Sequence, residues 1–151
     1  MRYQGTLIAV SDMAKAKHFY ETVMEQKVLM DLGVHVSFAG GLSLQSNYAE
    51  LVGAILPARD RPNNFQLYFE VEDLDTWQDR IKNTEGIEFI HEAKEYPWGQ
   101  RVMRFYDYDK YIVEVAESME SVAKGYLAQG LSVEETARRT MFPVEFVKSL
   151  L

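Results

Sequence analysis

The sequence predicts an α+β chain made of two copies of one βαβββ module, followed by a helical tail. Three observations carry this. Val10-Ser11-Asp12-Met13 recurs as Val71-Glu72-Asp73-Leu74 about 61 residues later, too long an offset for a solenoid repeat and suited to a duplicated module. Each copy follows a strand-like run and opens a helix with the same apolar stripe, and three more strand-like runs follow each helix. From Ser118 onward the pattern turns helical.

The first strand is read over 6–10, where Thr6, Leu7, Ile8, Ala9 and Val10 give a short apolar, β-branched run. Asp12 then caps a helix by accepting backbone N–H bonds, and Met13, Ala16 and Tyr20 form its buried stripe at i, i+3, i+7. Strands over 27–32, 34–39 and 42–45 are separated by turns at Gly33 and at Gly40-Gly41. Residues 46–64, with Pro57 and Pro62, read as a linker holding one helical turn over 48–52. The second copy repeats the scheme: a strand over 65–71, the cap Asp73, and a stripe of Leu74, Trp77 and Ile81. Its strands fall at 87–92, 101–106 and 111–116, with Pro97-Trp98-Gly99 breaking the first pair and Asp107-Tyr108-Asp109-Lys110 turning the last. In the tail, Ser118 caps a helix to about Ala128 and Gln129-Gly130-Leu131 ends it. Ser132-Val133-Glu134-Glu135 forms a capping box, and Pro143 opens a third helix, 144–150, from its first position. The expected organisation is one domain over 1–117, with modules 1–56 and 63–117, and a helical extension over 118–151.

Composition bounds the function. A chain of 151 residues, 47% hydrophobic and 26% charged, is long and apolar enough to bury a core. A formal net charge of −7 disfavours binding to a phosphate backbone. With no cysteine there is no disulfide, thiolate metal site or cysteine nucleophile. No run suits a membrane helix and the start lacks a signal-peptide core, so the expected location is the cytoplasm.

The Val-x-Asp-Met/Leu helix starts, Phe19-Tyr20, the run Pro97 to Arg101, and Phe105 to Asp109 followed by Ile112 to Val115 resemble the vicinal oxygen chelate superfamily. That superfamily includes glyoxalase I, extradiol dioxygenases and bleomycin- and fosfomycin-resistance proteins. The likeness spans roughly residues 1–117, with Tyr108 and Lys110 replacing the Pro and Gly of the usual Asp-Pro-Asp-Gly hairpin. It implies two half-barrel modules sharing a cavity for metal, substrate or drug. It also places metal ligands on the first and last strand of each module, here Gly5, Gln45, Gln66 and Glu114. Only Glu114 is a strong donor among these, whereas zinc, nickel and iron sites want imidazole and carboxylate, so neither a standard metal site nor another cofactor is expected.

Glu114 alternates with Val113 and Val115, and the resemblance turns it into the cavity, where it accepts a ligand's hydrogen bond or serves as a general base. Gln45 and Gln66 become cavity amides that need partners. His91, read on the face of Phe89, is the second acid–base candidate, while His18 and His35 read as surface or turn residues. Trp98 and Phe105 are candidate walls for a planar or apolar ligand, and Arg101 a clamp for an anionic one. The expected function is binding of an unknown small organic ligand, in the manner of bleomycin-resistance proteins. The alternatives are a glyoxalase-like lyase, isomerase or dioxygenase using Glu114 with an atypical metal, and a ligand-responsive regulator reading DNA through the tail. In that tail Lys124, Arg138, Arg139 and Lys148 are balanced by Glu120, Glu134, Glu135 and Glu145, which disfavours nucleic acid. Its apolar residues Leu131, Val133, Ala137, Met141, Phe142, Phe146, Val147 and Leu150 are expected to bury, and the chain to form a homodimer.

Overall fold

The computed structural model describes residues 1–57 and 59–151. Among the described residues eight strands form two sheets: β1 (Thr6–Ala9), β2 (Val28–Asp31), β3 (His35–Phe38) and β4 (Leu42–Gln45), then β5 (Gln66–Val71), β6 (Glu88–Glu95), β7 (Arg101–Tyr106) and β8 (Ile112–Glu117). The sheets share one strand order, β1-β4-β3-β2 and β5-β8-β7-β6, with the first pair parallel and the rest antiparallel. A parallel pair needs a crossover, and the helix with its two following strands supplies it each time. This is the duplicated βαβββ scheme of an α+β fold.

The chain divides into two compact units, residues 1–62 with 108–110, and residues 63–107 with 111–151. In the first unit Asp12 caps α1 (Met13–His18) by accepting from the Lys15 N–H at 3.0 Å. The helix widens into a π-turn, Phe19–Val23, closed by the Met24 N–H bonding to the Phe19 carbonyl at 2.9 Å. Phe19 and Tyr20, neighbours in sequence, are both buried there, and Tyr20 tilts against Phe38 with ring centroids 6.2 Å apart. Ile8, Val36 and Leu44, register partners on one sheet face, complete this core. The hairpin tip joins the same unit: Asp109 accepts from the Ser11 N–H at 2.8 Å, and Tyr108 meets Phe19 edge-on at 5.5 Å. The expected helical turn is α2 (Tyr48–Val52).

In the second unit Asp73 caps α3 (Leu74–Lys82), accepting from the Thr76 N–H at 3.1 Å. Leu74 and Ile81 are buried, as are Leu67, Met103, Phe105, Val113 and Val115 on one face of the sheet. The opposite face carries Gln66, Tyr68, Glu114 and Arg104, and there the unit's polar chemistry gathers. Ser118 and Ser132 cap α4 (Met119–Ala128) and α5 (Val133–Thr140), the latter with a full capping box to Glu135. A short helix, α6 (Val144–Lys148), ends the chain.

Several expectations shift. Pro143 is the N-cap of α6, with an extended ψ of 142°, and not its first residue. Met141 does not bury: it takes the left-handed C-cap position of α5 at φ 62° and is 78% exposed. Strand β6 runs on to Glu95, with register shifts between Phe89 and His91 and between His91 and Lys94. The first bulge reverses the alternation, so His91 leaves the face of Phe89 and stands opposite Arg104. Among the described residues no helix is long and apolar enough to cross a membrane.

Candidate functional site

The register of the second sheet aligns four polar residues in one transverse row. Tyr68 on β5 faces Glu114 on β8, Glu114 faces Arg104 on β7, and Arg104 faces His91 on β6. Residues directly opposite share a face, so all four project together. Gln66, two residues before Tyr68, lies on that same face.

Arg104 ties the row together. Its Nη2 forms an ion pair with Glu114 Oε2, a carboxylate whose side chain is 9% exposed. Nε donates to Gln66 Oε1 at 3.2 Å, and Gln66 Nε2 donates back to Glu114 Oε2 at 2.8 Å, closing a triangle. Nη1 donates to Tyr96 Oη and meets His91 Nε2 at 3.0 Å. The tautomer follows from the other ring nitrogen: His91 Nδ1 lies 2.8 Å from the Glu92 carbonyl, which only accepts, so Nδ1 carries the proton and Nε2 offers its lone pair to arginine.

An aromatic edge adjoins this cluster. Tyr96 stacks on Trp98 with centroids 4.9 Å apart, and the Arg104 guanidinium lies 5.5 Å from the Tyr96 ring centre. Trp98 Nε1 donates to Gln100 Oε1 at 2.9 Å, and the buried Gln100 amide donates to the Glu117 carbonyl at 2.8 Å. Tyr68 donates to Glu70 Oε1 at 2.6 Å. Burial around its hydroxyl, then that bond to Glu70, pushes the phenol up to about 12.

Of the sequence candidates, Gln66, Glu114 and His91 meet through Arg104, and Trp98 adjoins them through Tyr96. Two expectations are corrected. Phe105 is fully buried on the α3-facing side, against Phe89 at 5.9 Å, and is a core residue. Arg101 shares that side and is held by Asp75 of α3 and by Glu117, which keeps its guanidinium above the ordinary arginine range through the Asp75 bond. Gln45 belongs to the first unit, where it is buried, accepts from His35 Nδ1 at 3.0 Å and donates to the Ser46 carbonyl at 2.7 Å. His35 is therefore a partner of Gln45 and not a bare turn residue. Sequence reasoning missed Arg104, Tyr96 and Gln100. Counting outward from an Asp107–Lys110 turn would set Arg104 against Val113; the observed loop holds one residue more, 107–111, and only that register sets Arg104 against Glu114.

These residues do not fit the divalent ion that the resemblance implies. Gly5 offers no donor, and any side chain there would force the backbone to shift, because a β-carbon would lie 1.9 Å from the Gly41 carbonyl oxygen. Gln45 has spent both amide atoms locally, and Gln66 and Glu114 are turned to a guanidinium whose charge repels a second cation. Among the described residues no group of three or more His, Asp or Glu is arranged to hold a metal.

The comparisons with known proteins agree with the fold. The Glyoxalase-like domain family matches residues 3–120. A crystal structure of a protein of unknown function from Agrobacterium tumefaciens is 33% identical, covering 78% of this chain and 94% of its own, with a TM-score of 0.71. A glyoxalase-related enzyme from Fulvimarina pelagi is 18% identical over 78% of this chain and 88% of its own, at a TM-score of 0.64. A lactoylglutathione lyase from Agrobacterium tumefaciens is 23% identical over 78% and 93%, at 0.59; at such identities these two show the fold alone. No curated protein matches the sequence significantly. With two sheets of identical βαβββ order and a family match over most of its length, the chain belongs to the glyoxalase-like family of the vicinal oxygen chelate superfamily.

Proposed function

We propose that this chain binds a small organic ligand on the polar face of its second sheet, without a catalytic metal, as bleomycin-resistance proteins of the superfamily do. The observation that carries this reading is the closed triangle of Arg104, Gln66 and Glu114, in which the protein's own cation bonds to two of the residues that the resemblance implies as metal ligands. Beside it Trp98 and Tyr96 give a stacked aromatic edge suited to a planar molecule, and Gln66 and Tyr68 add polar contacts. A lyase, isomerase or dioxygenase reading has less support, since the Arg104 guanidinium and the Gln66 amide both bond to Glu114 and stabilise its ionised form, which makes it a weaker base. The DNA-reading alternative is weakened by pairing in the tail: Lys124 with Glu120, Lys148 with Glu145 at 3.1 Å, and Arg139 with Glu95 at 3.8 Å.

The test uses Trp98 as reporter. The sequence has two tryptophans, so a Trp77→Phe protein leaves Trp98 as the one indole. Titrating that protein with a panel of planar heteroaromatic compounds should give saturable quenching by at least one of them, with the compound recovered unchanged. Recovery of a chemically altered compound would replace this reading with the enzymatic one. Quenching that survives in Trp98→Phe but not in Trp77→Phe would place the ligand elsewhere.

A further inference from the structure

We infer that the second unit contains a cation-binding site for a planar guanidinium group, and that Arg104 is its resident occupant. Four acceptors converge on one side chain: Gln66 Oε1 from β5, His91 Nε2 from β6, Tyr96 Oη just beyond β6, and Glu114 Oε2 from β8. Arg104 enters from β7, the strand between β8 and β6.

Three of the four are aimed by bonds that do not involve the arginine. Gln66 is oriented by the bond its Nε2 donates to Glu114 at 2.8 Å. His91 is oriented by its Nδ1 bond to the Glu92 carbonyl at 2.8 Å, which fixes the lone pair on Nε2. Tyr96 is held by its stack on Trp98. The site is therefore pre-organised for a cation, and would stay so with the guanidinium removed.

The spacing says which cation. The acceptors bond to three different nitrogens of a flat fork, at 3.2 Å to Nε and 3.0 Å to Nη1 where the histidine meets it. A metal ion would need its ligands about 2.0–2.2 Å from a single centre. A point ammonium lacks the fork that reaches Gln66, His91 and Glu114 together. In the native protein Arg104 thus decides which ligands this face admits, because the place a soluble cation would take is filled from within. The inference concerns Arg104 and its acceptors alone and does not rest on the organic ligand proposed above.

Arg104→Ala vacates the place, and ethylguanidinium chloride is the probe, read by the melting temperature against equal concentrations of ethylammonium chloride and sodium chloride. Arg104→Ala should show a saturable rise with ethylguanidinium at millimolar concentration, absent with the other two salts and absent in the unaltered protein. Adding Glu114→Gln to Arg104→Ala should weaken that response by about tenfold, the loss expected for one charged hydrogen bond. Equal responses to all three salts, or a response indifferent to Glu114→Gln, would overturn the inference. Should Arg104→Ala fail to fold, nitrogen-15 NMR of the intact protein decides. Arg104 should give separate, unaveraged Nη signals, identified by their loss in Arg104→Lys, and a single averaged signal from every arginine would refute a guanidinium gripped on both arms.

Discussion

Gly5 rests against Gly41 so closely that a β-carbon on residue 5 would lie 1.9 Å from the Gly41 carbonyl oxygen, the same oxygen that accepts from the Thr6 N–H at 2.8 Å. This is where the parallel pairing of β1 with β4 begins, with Thr6 opposite Leu42. The neighbour is backbone, which cannot turn aside as a side-chain tip can, and Gly5 also sits at φ 152°. Gly5→Ala should therefore destabilise the chain by about 2–4 kcal/mol, combining a forced backbone shift with conformational strain. Gly5→His should do so at least as strongly, and gain no metal. Urea unfolding measures both, and a Gly5→Ala protein as stable as the parent would contradict the close approach.

The Arg104–Glu114 pair is expected to behave as a partly buried ion pair, with side-chain exposures of 25% and 9%. Removing one partner leaves the other charge poorly solvated. A fully buried pair would lose roughly 3–5 kcal/mol, and the exposure of Arg104 reduces this to about 2–3 kcal/mol for Arg104→Met. Arg104→Met combined with Glu114→Met should recover much of that loss, because neither charge is then stranded. A double variant no more stable than Arg104→Met would show that the two side chains do not act on each other.

How much of this is legible in the sequence depends on distance along the chain. The duplicated scheme, the caps Asp12, Asp73, Ser118 and Ser132, and the apolar stripes rest on contacts within a few residues, and periodicity encodes those directly. The pairing of Gln66 with Glu114, 48 residues apart, was reachable only through the family resemblance. The face of His91 is not legible in the sequence, because a bulge adds a residue that alternation cannot anticipate. The faces of Phe105 and Arg101 are not legible either, because an aromatic and an arginine suit either face of a strand; the register of Phe105 with Val113 and the bond of Arg101 to Asp75 decide them.

Tyr68 carries a pH signature. Its phenol is raised to about 12 by burial around the hydroxyl and by the bond to Glu70. A raised folded-state value means the folded chain holds this proton more tightly than the unfolded chain, whose tyrosine titrates near 10. The associated stability is complete below about pH 10 and is lost as pH rises towards 12. Absorbance titration at alkaline pH should show a late component that disappears in Tyr68→Phe and moves to lower pH in Glu70→Gln. An unchanged late component in Tyr68→Phe would assign it to another tyrosine.

The tail should contribute to stability through specific contacts. Ala123 and Val147 are fully buried, and Tyr126 lies over Gly99, where a β-carbon would come 2.1 Å from its hydroxyl. A chain ending at Glu117 should melt lower and expose an apolar patch. Ser132→Ala should lose about 1 kcal/mol with the capping box. Thr136→Val should gain about 1 kcal/mol, because the Thr136 hydroxyl is buried with no hydrogen-bond partner among the described residues and an apolar isostere removes that penalty. Calorimetry on the three proteins tests all of this, and a destabilised Thr136→Val would mean the hydroxyl does find a partner.

The first sheet ends on β2, an edge strand that carries Leu29 at 64% and Met30 at 44% exposure, with Leu32 at 63% and Val34 at 51% just beyond it. An exposed apolar edge invites pairing with another chain, since its outer backbone groups have no neighbouring strand and its side chains gain by leaving water. No charge on β2 itself opposes this except Asp31, which is paired with Lys17 at 2.6 Å and held below the usual carboxylate range chiefly by that bond. The expected outcome is a homodimer with an isologous two-fold interface that includes β2. Sedimentation at micromolar concentration should then give a species about twice the 17.4 kDa chain mass. Leu29→Lys together with Leu32→Lys should shift it towards the monomer while leaving the melting transition cooperative, because both residues are exposed within the chain. A parent protein that sediments only near 17.4 kDa would refute the dimer. A dimer indifferent to the two lysines would move its interface away from β2.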